Sequence, residues 1–149
     1  MDKGIYCLVL RNTACTMSVG ALGLRPFSSG FHVYVGSAQG SGGLKRASRH
    51  IHVARNHDRP PKWHIDYLLS STRFTLRFVV CAPTEEKLEC LLAETLGGIP
   101  VPLFGCSDCA CSSHLLYYHN DPLDRIKMAF RTLGLDPTIK TIIYPPRGV

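Results

Sequence analysis

The chain has 149 residues, 45% of them hydrophobic, which is enough apolar material for one buried core and too much for a disordered tail. No apolar run approaches the roughly 20 residues that span a bilayer, and Met1-Asp2-Lys3-Gly4 leads into a strand-like segment without the parts of a signal peptide. The expectation is a soluble, cytoplasmic protein. Seventeen Lys and Arg against eleven Asp and Glu leave a formal charge of +6. Much of the excess is clustered in Lys45, Arg46, Arg49, Arg55 and Arg59, with His50, His52 and His57 among them. Clustered charge favours a polyanion partner, although a solvated basic face gives the same signal.

In chain order, Gly4 to Arg11 is rich in β-branched and aliphatic residues and predicts a strand. Cys15 to Leu24 reads as a second extended segment, Arg25 to Gly30 as a turn, and Phe31 to Gly36 as a returning strand. Ser37 to Gly43 is a glycine-rich loop that leads into a helix from Leu44 to about Val53, ended by the Asn56–Pro61 stretch. Trp63 to Leu69 predicts a short helix, and Arg73 to Cys81 the clearest strand. Thr84, followed by Glu85 and Glu86, has the form of an N-cap and an acidic first turn, opening a helix that runs to Leu96 and stops at Gly97-Gly98. An irregular segment from Pro100 to Ser113 precedes a short strand, His114 to Tyr118, and an amphipathic helix, Asp121 to Leu133. The reading is one mixed α/β (α+β) domain over residues 1–135, with a small antiparallel or mixed sheet flanked by helices. Residues 136–149, with Pro145 and Pro146, read as a poorly ordered tail.

Seven cysteines, an odd count without a secretion signal, argue against a disulfide framework. Cys7, Cys81 and Cys90 sit among apolar neighbours and read as small core residues. Cys106, Cys109, Cys111 and His114 have the donor types of a structural zinc site. The Cys109-Ala110-Cys111 spacing is tighter than such sites use, so a compact loop is the favoured reading.

Chemistry enters through an ordered set of short motifs. Gly4-Ile5-Tyr6 and Tyr34-Val35-Gly36 carry little singly. The second leads through the glycine loop to Arg46, Arg49 and His50, which stand at i, i+3 and i+4 on one helical face. A helix start preceded by glycines also offers backbone N–H groups to a phosphate. In this order the residues resemble the GIY-YIG nuclease superfamily. More closely they resemble a branch that also carries Trp63-His64-Ile65-Asp66-Tyr67-Leu68-Leu69, Glu89-Cys90, and Phe104-Gly105 through His114-Leu115.

The resemblance implies a metal-dependent endonuclease that hydrolyses phosphodiester bonds in DNA with Mg²⁺ or Mn²⁺. Fusions of similar domains to glycosylase-like domains turn the expectation toward DNA repair. Tyr6 and Tyr34 match the motif tyrosines, Arg46 the helix arginine, and Glu89 the metal-binding glutamate. His50 and Tyr6 both stay open as general base, His50 because imidazole titrates near neutral pH. Lys45, Arg49, His64 and Trp63 are candidates for holding nucleic acid, Trp63 by stacking on an unpaired base. The bland reading makes the tyrosines core residues, Arg46 a surface cation, and Glu89 a helix-surface ion-pair partner. Two features depart from the family's pattern: an extra hairpin-like segment between Arg11 and Gly30, and Pro100 and Pro102 where an asparagine is usual. A non-catalytic nucleic-acid-binding module is the alternative, a zinc-stapled interaction domain a more distant one, and RNA stays open beside DNA.

Overall fold

The computed structural model describes residues 3–38, 45–58, 60–105 and 113–144. The glycine loop beyond Ala38, the three clustered cysteines and the final prolines lie outside them. In chain order the elements are β1 (Gly4–Asn12), β2 (Cys15–Ser18), β3 (Leu24–Phe27), β4 (Gly30–Ala38), α1 (Lys45–Asn56), α2 (His64–Leu69), β5 (Phe74–Pro83), α3 (Glu89–Leu96), β6 (Ile99–Pro100), β7 (Leu115–Tyr118), α4 (Leu123–Thr132) and β8 (Thr138–Thr141). Six strands form one sheet in the order β6-β7-β4-β1-β5-β8, and the pairings are antiparallel throughout.

The position of β1 follows from its sequence. A strand apolar on both sides is stable only where both faces are covered, and β1 is buried at every residue except Arg11. Its even-numbered side chains Tyr6, Leu8 and Leu10 pack with Ala47, Ile51 and Ala54 of α1 and Ile65, Leu68 and Leu69 of α2. Its odd-numbered side chains Ile5, Cys7 and Val9 pack with Leu92, Ala93 and Leu96 of α3 and Ile126, Ala129 and Phe130 of α4. The domain is thus a sheet between two helical layers, each helix supplying an apolar stripe at three-to-four-residue spacing.

The structure corrects the sequence reading in three places. The segment between Arg11 and Gly30 is a hairpin, as expected, but its strands are β2 and β3, paired across the 3₁₀ turn Gly20–Leu22, and not one extended stretch followed by a turn. Pro26 is tolerated in this two-stranded ribbon, whose outer edges need no ladder hydrogen bond. The hairpin is tied down by Val19 and Phe27, both buried in the core. Second, α3 begins at Glu89 and not near Thr84. The Thr84 hydroxyl instead accepts from the Glu86 amide (3.2 Å) in a local turn, while the Thr84 amide donates to the Lys3 carbonyl (3.1 Å) and prolongs the β1–β5 pairing. Third, residues read as a loose tail include β8, which pairs with β5. Ile142 is buried behind it, and the Tyr144 hydroxyl donates to the Leu76 carbonyl at 2.8 Å. The β-branched Thr-Ile-Lys-Thr-Ile-Ile run outweighs the prolines that follow.

Of the three histidines buried among the described residues, His32 and His50 are the most deeply buried. His32 on β4 lies 2.9 Å from Asn12 Oδ1 through Nδ1, within an aromatic cluster of Phe27, Phe74 and Tyr117. Burial pushes its pKa down to about 4. Burial, reinforced by Arg49 and Arg46 and opposed by Asp66, pushes His50 of α1 down to about 4 as well. On acidification the unfolded chain therefore takes up protons before the folded one does. The stabilisation by the neutral histidines is complete above about pH 6.5 and is lost progressively toward pH 4, at a cost on the order of 3 kcal/mol for each. Urea midpoints should fall across that window, and the fall should be shallower in His32→Phe; equal slopes in the two proteins would refute the assignment.

Candidate active site

Tyr6 lies opposite Gly36 in the β1–β4 register, and Leu8 opposite Tyr34, so both tyrosines occupy the face covered by α1 and α2. A Cβ on Gly36 would sit 2.5 Å from Tyr6 Oη and 2.6 Å from Cε1. Only glycine lets the Tyr6 phenol lie across β4 and reach α1, where its Oη is 2.9 Å from His50 Nε2. The glycine and tyrosine of the two motifs are therefore one steric unit. Gly105, at φ +72, approaches the ring of Tyr34 from the other side; a Cβ there would come 3.3 Å from Tyr34 Cε1.

The Tyr6–His50 pair is held neutral. Burial raises the Tyr6 phenol, with Tyr34 adding to the rise and Arg46 and Arg49 opposing it. Two protons are then shared among Tyr6 Oη, His50 Nε2 and His50 Nδ1. Either Tyr6 donates to Nε2 and Nδ1 carries a proton, or Nε2–H donates to Oη and the phenol proton is free for a neighbour. His50 Nδ1 is buried without a hydrogen-bond partner among the described residues.

A second cluster braces α1 against α2. Asp66, 1% exposed, receives Arg49 Nη1 on Oδ1 (3.0 Å) and Arg49 Nη2 on Oδ2 (3.1 Å). The backbone amides of Lys62 (2.8 Å) and Trp63 (3.0 Å) donate to Oδ2 as well. Burial works against ionisation of Asp66, but the hydrogen bonds from Arg49, Trp63 and Lys62 outweigh it and hold the carboxyl below its ordinary range. Arg49 in turn lies over the Trp63 indole, its Cζ 4.4 Å from the ring centroid.

These elements surround a cavity of about 340 Å³. Tyr6, Tyr34, Arg46, His50, Trp63, His64 and Glu89 all line it. Of the residues singled out from sequence, two do not: Lys45 is exposed at the start of α1, and the guanidinium of Arg49 is engaged by Asp66. Arg46 donates through Nη1 to the Ser37 carbonyl at 3.1 Å and has no carboxylate within ion-pair distance among the described residues. His64 accepts the Gly105 amide on Nδ1 (3.3 Å), and burial lowers its pKa, so the neutral ring carries its proton on Nε2.

Glu89 reaches the cavity from the first turn of α3, although the rest of that helix packs on the opposite face of the sheet. Among the lining residues it is the only carboxylate, and its Oε2 is buried without a hydrogen-bond partner among the described residues. A buried carboxylate oxygen left unpartnered fits a divalent cation. No group of three or more His, Cys, Asp or Glu able to hold a metal occurs among the described residues. A single carboxylate is a donor that Mg²⁺ or Mn²⁺ can take while keeping waters and phosphate oxygens as their other ligands. Three of the four residues considered for zinc lie outside the described residues. The fourth, His114, lines the cavity with its pKa lowered by burial and partly restored by Glu89.

Cys90 is a correction. It is half-buried and engaged in a disulfide, with Sγ 3.8 Å from His114 Nε2, and is not a core thiol like Cys7. Its place beside Glu89 in the first turn of α3 puts it near the cavity wall and not under the sheet. Sequence reasoning also passed over Lys62, which lines the cavity beside Trp63. Its signal was a cation fixed between Pro60-Pro61 and the tryptophan.

Replacing Asp66 with Asn removes the charge and turns an amide against the donors around it. Unfolding free energy should fall by about 3 kcal/mol. Emission of Trp63, the only tryptophan, should shift to the red as the indole loses its anchor. Unchanged stability with unchanged emission would contradict this role.

No helix among the described residues is long and apolar enough to cross a membrane. No curated protein and no solved structure matches the chain. The profile of a family described as a domain of unknown function, DUF123, matches residues 5–135, a span that contains every cavity residue named above. Most of the chain lies inside that match, with residues 1–4 and the segment bearing β8 outside it, so the chain belongs to the DUF123 family.

Proposed function

We propose that this cavity hydrolyses phosphodiester bonds in DNA, in the manner of the GIY-YIG endonucleases that the ordered motifs resemble. The observation that carries the reading is convergence. Two phenols, a guanidinium, an imidazole and an unpartnered buried carboxylate, drawn from β1, β4, α1 and α3, line one space. Phosphodiester hydrolysis needs an activated water, in-line geometry and neutralisation of charge on the phosphoryl oxygens.

Arg46 presents its planar guanidinium to a non-bridging oxygen, and its hydrogen bond to the Ser37 carbonyl fixes the plane of the fork. His64, neutral, adds an uncharged N–H donor from Nε2. Tyr6 takes the proton of the attacking water as its own proton passes to His50 Nε2, 2.9 Å away, and Asp66 stabilises the imidazolium that results. Tyr34 bounds the space on which the water and phosphate must agree. A divalent ion held by Glu89 supplies charge neutralisation at the phosphate and a more acidic water when bound.

Labelled duplex, nicked, flapped and single-stranded DNAs, with RNA counterparts, should be incubated with Mg²⁺ or Mn²⁺. Cleavage of at least one DNA is expected. Arg46→Ala should lower kcat/KM by about 100-fold or more, a loss on the scale of one charge-stabilising donor. Glu89→Gln should abolish turnover with thermal stability retained. Salt-sensitive binding without cleavage of any substrate would instead establish a binding module and refute the enzyme reading.

A further inference from the structure

The mouth of the cavity carries positive charge that the described residues do not neutralise. Lys62 Nζ lies 4.9 Å, and Arg46 Cζ 5.4 Å, from the centroid of the Trp63 ring. The two charges are therefore no more than about 10 Å apart, on either side of or along one indole. Arg49, which shares the ring, is matched by Asp66. Neither Arg46 nor Lys62 has a carboxylate within ion-pair distance among the described residues.

The backbone that carries Lys62 and Trp63 is held in place. The Lys62 amide is held by Asp66 Oδ2 at 2.8 Å, and Pro60 and Pro61 restrict the backbone before it. Trp63 itself is anchored through its amide to the same carboxylate oxygen. A lysine whose backbone is clamped and whose ammonium rests at an aromatic face beside a second cation is prepared for an anion. With the scissile phosphate assigned to Arg46 and the Glu89 side of the cavity, Lys62 is left as the cation for a second anion.

We propose that Lys62, propped by Trp63, forms a second phosphate subsite that takes the phosphodiester next to the scissile one on the same strand. This inference rests on the assignment of the scissile phosphate to Arg46 and Glu89. It makes the substrate class a polynucleotide strand with at least two consecutive phosphates and makes an isolated phosphodiester a poor substrate.

The test compares Lys62→Gln with the wild-type full chain on two compounds in Mn²⁺: a labelled single-stranded 12-mer of DNA and bis(p-nitrophenyl) phosphate, which has one phosphate. The variant should lose about 10- to 30-fold in kcat/KM on the 12-mer, mainly through KM. That loss should exceed its loss on the one-phosphate compound at least fivefold, and Lys62→Arg should restore most of it. Binding of the 12-mer, read by fluorescence anisotropy against salt, should show a log–log slope smaller by about 0.7, the value for one single-strand phosphate contact. Equal losses on both compounds, or no loss on the 12-mer, would overturn the subsite. Should the wild-type chain cleave neither compound, the nuclease reading stands or falls on the wider panel of DNAs above, independently of Lys62. The anisotropy slopes then decide: a slope reduced in Lys62→Gln upholds the phosphate contact, and an unchanged slope overturns it.

Discussion

The Asp66 carboxylate is the constraint on which the arrangement of the site depends. A carboxylate that is 1% exposed forfeits its hydration, and this one is compensated by four donors from two segments. Two come from the Arg49 guanidinium on α1 and two from the backbone entering α2. One anion thereby fixes the angle between the helices that wall the cavity, places the Trp63 indole and sets the start of the Lys62 side chain. It also draws Arg49 away from solvent, leaving Arg46 as the arginine of α1 that lines the cavity. Its charge acts on His50 against the desolvation that keeps the imidazole neutral.

Against that frame, the sheet contributes geometry. The phenol of Tyr6 crosses β4 only because position 36 has no side chain, and the crossing delivers Oη to His50. Three buried side-chain atoms have no hydrogen-bond partner among the described residues: Ser70 Oγ, and His50 Nδ1 and Glu89 Oε2 on two residues that line the cavity. Buried polar groups left unsatisfied cost stability, and they persist where ligand or solvent completes them. His50 and Glu89 line one cavity and come from opposite helical layers.

Much of this was legible in the sequence, for identifiable reasons. The apolar run of β1 announces a central strand, and the order of Tyr6, Tyr34, Arg46, His50 and Glu89 along the chain picks out side chains that the fold gathers into one cavity. What stayed hidden depends on pairing across distance. Arg49 and Asp66 are 17 positions apart, and no local pattern says that they will satisfy each other, so Arg49 looked available for nucleic acid. Lys62 is one surface lysine among several until the indole beside it is seen to collect a second cation. The start of α3 was misplaced because Thr84-Glu85-Glu86 has good capping chemistry, yet the Thr84 amide is already used by Lys3 in extending the sheet. β8 was missed because the prolines after it outweighed a β-branched run that finds a free edge on β5.

The proposed function requires a divalent ion at Glu89, in the cavity that Tyr6, His50 and Arg46 also line. The most direct measurement is paramagnetic broadening of backbone and indole N–H resonances on titration with substoichiometric Mn²⁺. The account predicts selective, saturable loss of signal from residues around the cavity, among them Gly36, Trp63, Glu89 and Gly105, and restoration of those signals in Glu89→Gln. Broadening centred on the exposed carboxylates of Asp121 and Asp124, or cavity broadening that survives Glu89→Gln, would contradict it.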